Sequence, residues 1–191
     1  MSRTGPGYVE SEAELFADLE RKEENGEISE RTANAFRELY EFAKEIGDEV
    51  QIGEAKNANF QVKVDAHQGE SPSDTSVFTA NVNGKLKIWP AMMVIKNDAG
   101  LDSVEWEKED YDEFERAFHS LKGVPRDSKS IKFETFASKT DRDEFMSMVD
   151  EFVTICQEIR IGYVGGRIRR SDTLRKRSSK SYILFLAVSL S

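Results

Sequence analysis

The sequence predicts an α+β domain: an N-terminal αα-hairpin, then a mostly antiparallel sheet of four to five strands packed against helices, in the order αα-β-ββ-(β)-α-β-α. Three observations carry this. Apolar residues before Gly47 recur at helical spacing, those from Phe60 to Trp89 recur every second residue, and beyond Asp110 the helical spacing returns. At 191 residues the chain suits one ordinary domain. Only 38% of it is hydrophobic, but twelve Phe, five Tyr and two Trp bury large areas each and supply a core.

Each element has a local cause. Ser11 and Glu14 form a capping box ahead of Leu15, Phe16 and Leu19, which predicts a helix over about 12–24 ended by Asn25-Gly26. Ser29 caps a second helix, whose stripe of Ala33, Phe36, Leu39, Tyr40, Ala43 and Ile46 runs to a stop at Gly47. Phe60, Val62 and Val64 alternate with Gln61, Lys63 and Asp65, the pattern of a strand buried on one face, and the sheet is expected to begin there. Residues 67–76 read as a loop. Val77–Val82 and Lys85–Trp89 then flank Asn83-Gly84 as a hairpin. A two-residue loop would mix polar and apolar side chains on both faces. A three-residue loop with Gly84 in the left-handed conformation pairs Ala80 with Leu86 and Phe78 with Ile88, which separates the faces, and is the expected register. Its outer face then carries Thr79, Asn81, Lys85, Lys87 and Trp89.

Met92–Ile95 is a candidate further strand. A third helix follows, capped by Asp110, with Tyr111, Phe114, Phe118 and Leu121 on one face and Gly123 with Pro125 as its stop. Ile131 and Phe133 alternate with polar neighbours as a last strand. Thr140 and Asp143 open a long final helix with an apolar stripe of Phe145, Met148, Val149, Phe152, Cys156 and Ile159.

Charge divides the chain. Residues 1–158 hold 35 acidic and 19 basic side chains, whereas residues 159–191 hold eight basic ones and only Asp172. The expected organisation is a flexible segment 1–10, one domain over 11–158 and a disordered basic tail over 159–191, a switch of composition that a shifted reading frame would also produce. One cysteine, Cys156, excludes an internal disulfide, and with only His67 and His119 beside it no Cys/His zinc cluster can be assembled. A reducing, cytoplasmic setting is therefore expected. The N-terminus lacks the pattern of a signal or transit peptide, and the apolar run Tyr182–Leu190 is about half the ~20 residues that a spanning helix needs.

Few residues suggest chemistry. Asp48, Glu54 and Lys56 are candidate catalytic groups, because metal-dependent nucleases use carboxylates to hold Mg²⁺ and a lysine to orient the attacking water. In so charged a chain the same triplet also arises as a solvated loop. Lys63, Lys85, Lys87 and Trp89 are candidate binding residues: lysines neutralise phosphates and an exposed ring stacks on a base. The same lysines equally serve to guard an edge strand, and Trp89, just before Pro90, can fold back into the core. Asp65, His67 and Glu70 fall where a strand enters a loop and are expected to be solvated; His119 is expected to face solvent and Cys156 to be buried. Arg167, Arg169, Arg170, Arg175, Lys176, Arg177 and Lys180 can act as a disordered arm for nucleic acid or an anionic membrane surface. No P-loop, dinucleotide fingerprint or nucleophile elbow is present.

The succession RTANAFRELYEFAKEI, NANFQVKV, VFTANVNGKLKIWP, DYDEFERAFHSL and IKFETFASKTDRDEFMSMVDEF resembles a small uncharacterised α+β family. That domain of unknown function is found appended to restriction-endonuclease-like proteins or in predicted transport proteins. The resemblance covers about residues 29–158, implies no established activity and carries over no functional residue. These features together predict a non-catalytic binding or interaction module without a cofactor. The alternatives are a nucleic-acid-binding protein, through Lys85, Lys87 and Trp89 or the tail, and an Mg²⁺-dependent nuclease-like enzyme.

Overall fold

The computed structural model describes residues 9–53, 57–64, 75–89 and 108–162, the side chains of 75, 108 and 156–162 excepted. The chain divides into two units, Met1–Ile159 and Arg160–Ser191, and the architecture that follows is that of the first. Helices α1 (Glu12–Glu24) and α2 (Glu30–Ile46) come first, followed by strands β1 (Glu49–Ile52), β2 (Asn59–Val64), β3 (Thr75–Asn81) and β4 (Lys85–Ile88). Helix α3 (Lys108–Ser120), strand β5 (Ser130–Lys132) and helices α4 (Phe133–Lys139) and α5 (Arg142–Gly162) complete the described order. The fold is α+β, with all four strand pairings antiparallel in the order β1-β2-β3-β4-β5.

The caps explain the first two helices. Ser11 Oγ accepts the Glu14 N–H at 3.3 Å, while the Glu14 carboxylate accepts the Glu10 N–H at 2.8 Å. Ser29 Oγ accepts the Thr32 N–H at 3.2 Å and so satisfies one of the four donors left over at the start of α2. Gly26, at φ 70°, turns the chain between the helices, a conformation that a side chain would strain. At the far end of α2 a Cβ on Gly47 would meet the Ala43 carbonyl at 2.9 Å and Val62 at 3.0 Å. Only a glycine lets the chain leave the helix so close to β2.

The core lies between the sheet and the helices. Phe36 and Tyr40 of α2 each set a ring edge against Phe60 of β2 with centroids 5.1 Å apart. The contact continues through Phe78 to Phe145 of α5 at 5.5 Å, and on to Phe136 of α4 at 5.2 Å. Edge-to-face geometry puts the positive rim of one ring on the negative face of the next. Tyr111, Phe114 and Phe118 on α3, and Leu121 just past its end, are buried as their spacing requires, and Phe114 stacks on Phe152 at 4.3 Å. Gly123, at φ 93°, follows that helix.

The hairpin has the register that separates the faces: Phe78 pairs with Ile88, Thr79 with Lys87 and Ala80 with Leu86. Gly84 is not left-handed, however; among the described residues only Gly26 and Gly123 have positive φ. The Asn81 carbonyl accepts the Gly84 N–H at 3.0 Å and the Asn81 side chain accepts the Asn83 N–H at 3.2 Å, closing the turn without an αL residue. A Cβ on Gly84 would stand 3.0 Å from the Asn81 side chain, a tight contact that Asn81 would have to shift to relieve.

Several boundaries differ from the expected ones. The sheet begins at Glu49 rather than Phe60, because β1 is an edge strand whose Val50 and Ile52 are only half-buried and give too short an alternation to see. Phe133 starts a helix rather than continuing the last strand. Phe133, Phe136 and Ala137 are buried at i, i+3 and i+4, so helical spacing overrides the two-residue alternation Ile131/Phe133. Asp110 lies inside the first turn of α3 rather than capping it. Asp141, not Thr140 or Asp143, caps α5 by accepting the Glu144 N–H, while the Thr140 hydroxyl donates to the Lys122 carbonyl at 2.8 Å. A bulge between Val62 and Lys63 leaves Val77 as an extra residue, so Val77 and Phe78 are both buried and Ser76 comes opposite Lys63. Met92–Ile95 lies outside the described residues.

Candidate functional site

Because the apolar residues of the strands point at the helices, the opposite face collects the intervening positions. Three rows cross it. Asn59 and Asn81 are partners in one row, with Lys85 opposite Lys132 at its β4–β5 end. Gln51, Gln61, Thr79, Lys87 and Ser130 form the middle row. Glu49, Lys63 and Ser76 form the third, and the Trp89 N–H continues the ladder there by donating to the Val77 carbonyl at 3.1 Å.

Trp89 does not fold back into the core. It is half-buried on this outer face, where its indole N–H donates to Thr79 Oγ1 at 2.6 Å and the Lys87 ammonium lies 3.7 Å from the ring centroid. The cation–π contact and the hydrogen bond fix the ring across the β3–β4 ladder. Gln61 reaches the Ser76 hydroxyl along the same face.

Paired and unpaired lysines occur both on this face and off it: Lys122 and Lys139, outside the sheet, have no carboxylate within 4.0 Å among the described residues. Lys22, Lys44 and Lys129 sit against Asp18, Glu12 with Glu41, and Glu115 at 2.5–3.2 Å. Lys63 has Glu49 at 3.7 Å as its one carboxylate partner among the described residues. Lys85, Lys87 and Lys132 have no carboxylate within 4.0 Å among the described residues, and Lys85 and Lys132 are cross-strand partners, where like charges repel. Beside them a cleft of about 860 Å³ is lined by the α1–α2 turn, the β3–β4 turn, Lys132 and Glu134.

A second polar cluster was not legible as a site. Asp18 and Lys22, both buried, meet at 2.5 Å; Lys22 also donates to Asn57 Oδ1 at 2.9 Å, and Asp18 accepts from Arg21 at 2.6 Å and from the Ala58 N–H at 2.8 Å. Burial works to raise the Asp18 carboxyl, but the hydrogen bonds from Lys22, Arg21 and Ala58, with the Lys22 charge, outweigh it and hold the group below its ordinary value. Each charged atom of the pair has at least one hydrogen-bond partner, so the cluster fastens α1 to the start of β2. Its signal was the spacing Leu15, Asp18, Leu19 and Lys22, which places two charges in an apolar stripe at i, i+4.

Asp48 is exposed just before β1, whereas Glu54 and Lys56 lie outside the described residues, as do Asp65, His67, Glu70, the Cys156 side chain and the basic residues from Arg167 onward. Among the described residues no three His, Cys, Asp or Glu side chains are placed to hold a metal ion. His119 is half-buried rather than solvent-facing, with Nε2 buried and without a hydrogen-bond partner among the described residues. No described helix is long and apolar enough to cross a membrane. No protein-family model, curated protein or solved structure matches the chain.

Proposed function

We propose that the protein is a non-catalytic binding module whose ligand-facing surface is the outer face of the sheet and whose ligand is anionic. The observation that carries this is the pairing of Lys85 with Lys132 on adjacent strands of an acidic chain, without a carboxylate within 4.0 Å among the described residues. Carboxylates are abundant in the chain and neutralise Lys22, Lys44 and Lys129. Two ammonium groups held opposite one another lower stability rather than raise it, so their use lies in what they attract. Trp89, fixed beside Lys87, adds a flat apolar surface to the same face. The single cysteine fits work in a reducing compartment such as the cytoplasm.

Unfolding by urea, followed by circular dichroism, tests the premise in Lys85→Ala/Lys132→Ala. Stability is expected to hold or rise, since repulsion is relieved. A fall of more than about 1 kcal/mol would assign the lysines to the fold and withdraw the reading.

A further inference from the structure

We propose that the anion held by this face is single-stranded nucleic acid, lying across the strands with its phosphates along a lysine track and a base on Trp89. The inference rests on the reading of the outer face as a binding surface and names its ligand.

Strand geometry sets the spacing of the track. Lys132 and Lys85 are neighbours across β4–β5, about 5 Å apart at Cβ. Lys87 follows Lys85 about 7 Å along β4. Lys63 stands two strands away, about 10 Å across, in the row that Trp89 continues. The steps among Lys132, Lys85 and Lys87 are shorter than the Debye length of about 10 Å at 0.1 M salt, so these three act on a polyanion together, while Lys63, roughly 12 Å further with its row offset and partly neutralised by Glu49, extends the track more weakly. They descend diagonally from β5 to β2, a path that suits a chain with regularly spaced phosphates better than a single small anion.

The rest of the face separates nucleic acid from other polyanions. An acidic peptide offers nothing flat to Trp89, and in a duplex the bases are stacked on each other; an unpaired strand can turn a base onto the indole. Lys87, whose ammonium rests 3.7 Å over the ring, has to swing off that face for a base to stack there, and its long stem then carries the charge to the adjoining phosphate. Gln51 presents a carboxamide that donates and accepts, while Gln61, engaged with Ser76, and Asn81, engaged with the Asn83 N–H, keep their remaining amide atoms for base edges. Nothing in this set favours one base, so stacking and charge are expected to bind with little sequence preference.

The test is fluorescence anisotropy with the full chain, using a labelled oligothymidylate of about twenty nucleotides and, separately, labelled polyglutamate, at about 50 and 200 mM salt. The inference expects oligothymidylate binding that Trp89→Ala weakens about 5- to 150-fold and Trp89→Phe largely preserves. Lys85→Ala and Lys132→Ala are each expected to lower the slope of log affinity against log salt by about 0.7. Binding that ignores all four substitutions places the nucleic-acid site elsewhere and overturns the inference. Polyglutamate binding that depends on Lys85 and Lys132, without oligothymidylate binding, overturns it too but leaves the anion-binding face standing. Silence with both ligands removes both.

Discussion

The two faces of the sheet are built from the same strands and solve opposite problems. The inner one, Phe60, Val62, Phe78, Ala80, Leu86 and Ile88, is buried to 0% exposure and locked by ring edges from α2 and α5. The outer one carries lysines, amides and hydroxyls, with like charges as direct partners at Lys85 and Lys132. Alternation along a strand makes both faces available at once, so the inner set can supply stability while the outer set is free to work against it. A protein that needed its outer face only for solubility would have set Glu opposite Lys there, as it does at Glu49 and Lys63.

Substitutions can sharpen the contrast in order of size. Phe60→Ala removes the ring that touches Phe36, Tyr40 and Phe78, and is expected to cost about 3–5 kcal/mol in urea unfolding. A loss below about 1 kcal/mol would show that the inner face is not the source of stability. Asp18→Ala is expected to cost nearly as much, about 3–5 kcal/mol, because Lys22 is left charged and buried, whereas Asp18→Leu/Lys22→Met is expected to regain most of it. If the double variant is no better than the single one, the cluster is more than a fastening. Asp18 also gives a pH signature. Its folded value is depressed, so its contribution is complete above the ordinary carboxylate range near pH 4 and is lost as pH falls through the lower folded value. Asp18→Asn is expected to flatten that acid limb in unfolding curves measured at successive pH. Ser29→Ala removes the α2 cap and is expected to cost about 1 kcal/mol. The smallest effect has the opposite sign: Lys132→Glu is expected to raise the unfolding midpoint by an amount equivalent to about 0.2–1 kcal/mol, by turning a repulsive partner of Lys85 into an attractive one. A lowered midpoint would place Lys132 among the groups that hold the fold.

Periodicity made most of this fold legible. The stripe from Ala33 to Ile46 and the alternation from Phe60 to Val64 are long enough for one spacing to exclude the other, and the hairpin register followed from keeping Phe78 and Ala80 on one face. Short elements were hidden. Four residues of β1 and three of β5 contain at most two alternations, and Phe133 satisfied strand and helix patterns alike until Phe136 and Ala137 were seen packed beside it. Part of the candidate site was also legible, because alternation assigns Lys85, Lys87 and Trp89 to one face once the hairpin is set. Lys132 was not, since its pairing with Lys85 joins segments separated by α3, a long-range contact that local spacing cannot report. The bulge at Val77 was invisible for the same reason: it depends on how β3 meets β2.

The most direct test of the two-faced account is a ¹H–¹⁵N correlation spectrum of the full chain, titrated with the oligothymidylate. The side-chain amides of Gln51, Gln61 and Asn81 and the indole N–H of Trp89 report the outer face, and the backbone amides of α1 and α2 report the helical side. The account predicts shifts confined to the first group and to the strands that carry it. Shifts confined to the helices or to residues 160–191, with the Trp89 indole unmoved, would contradict it.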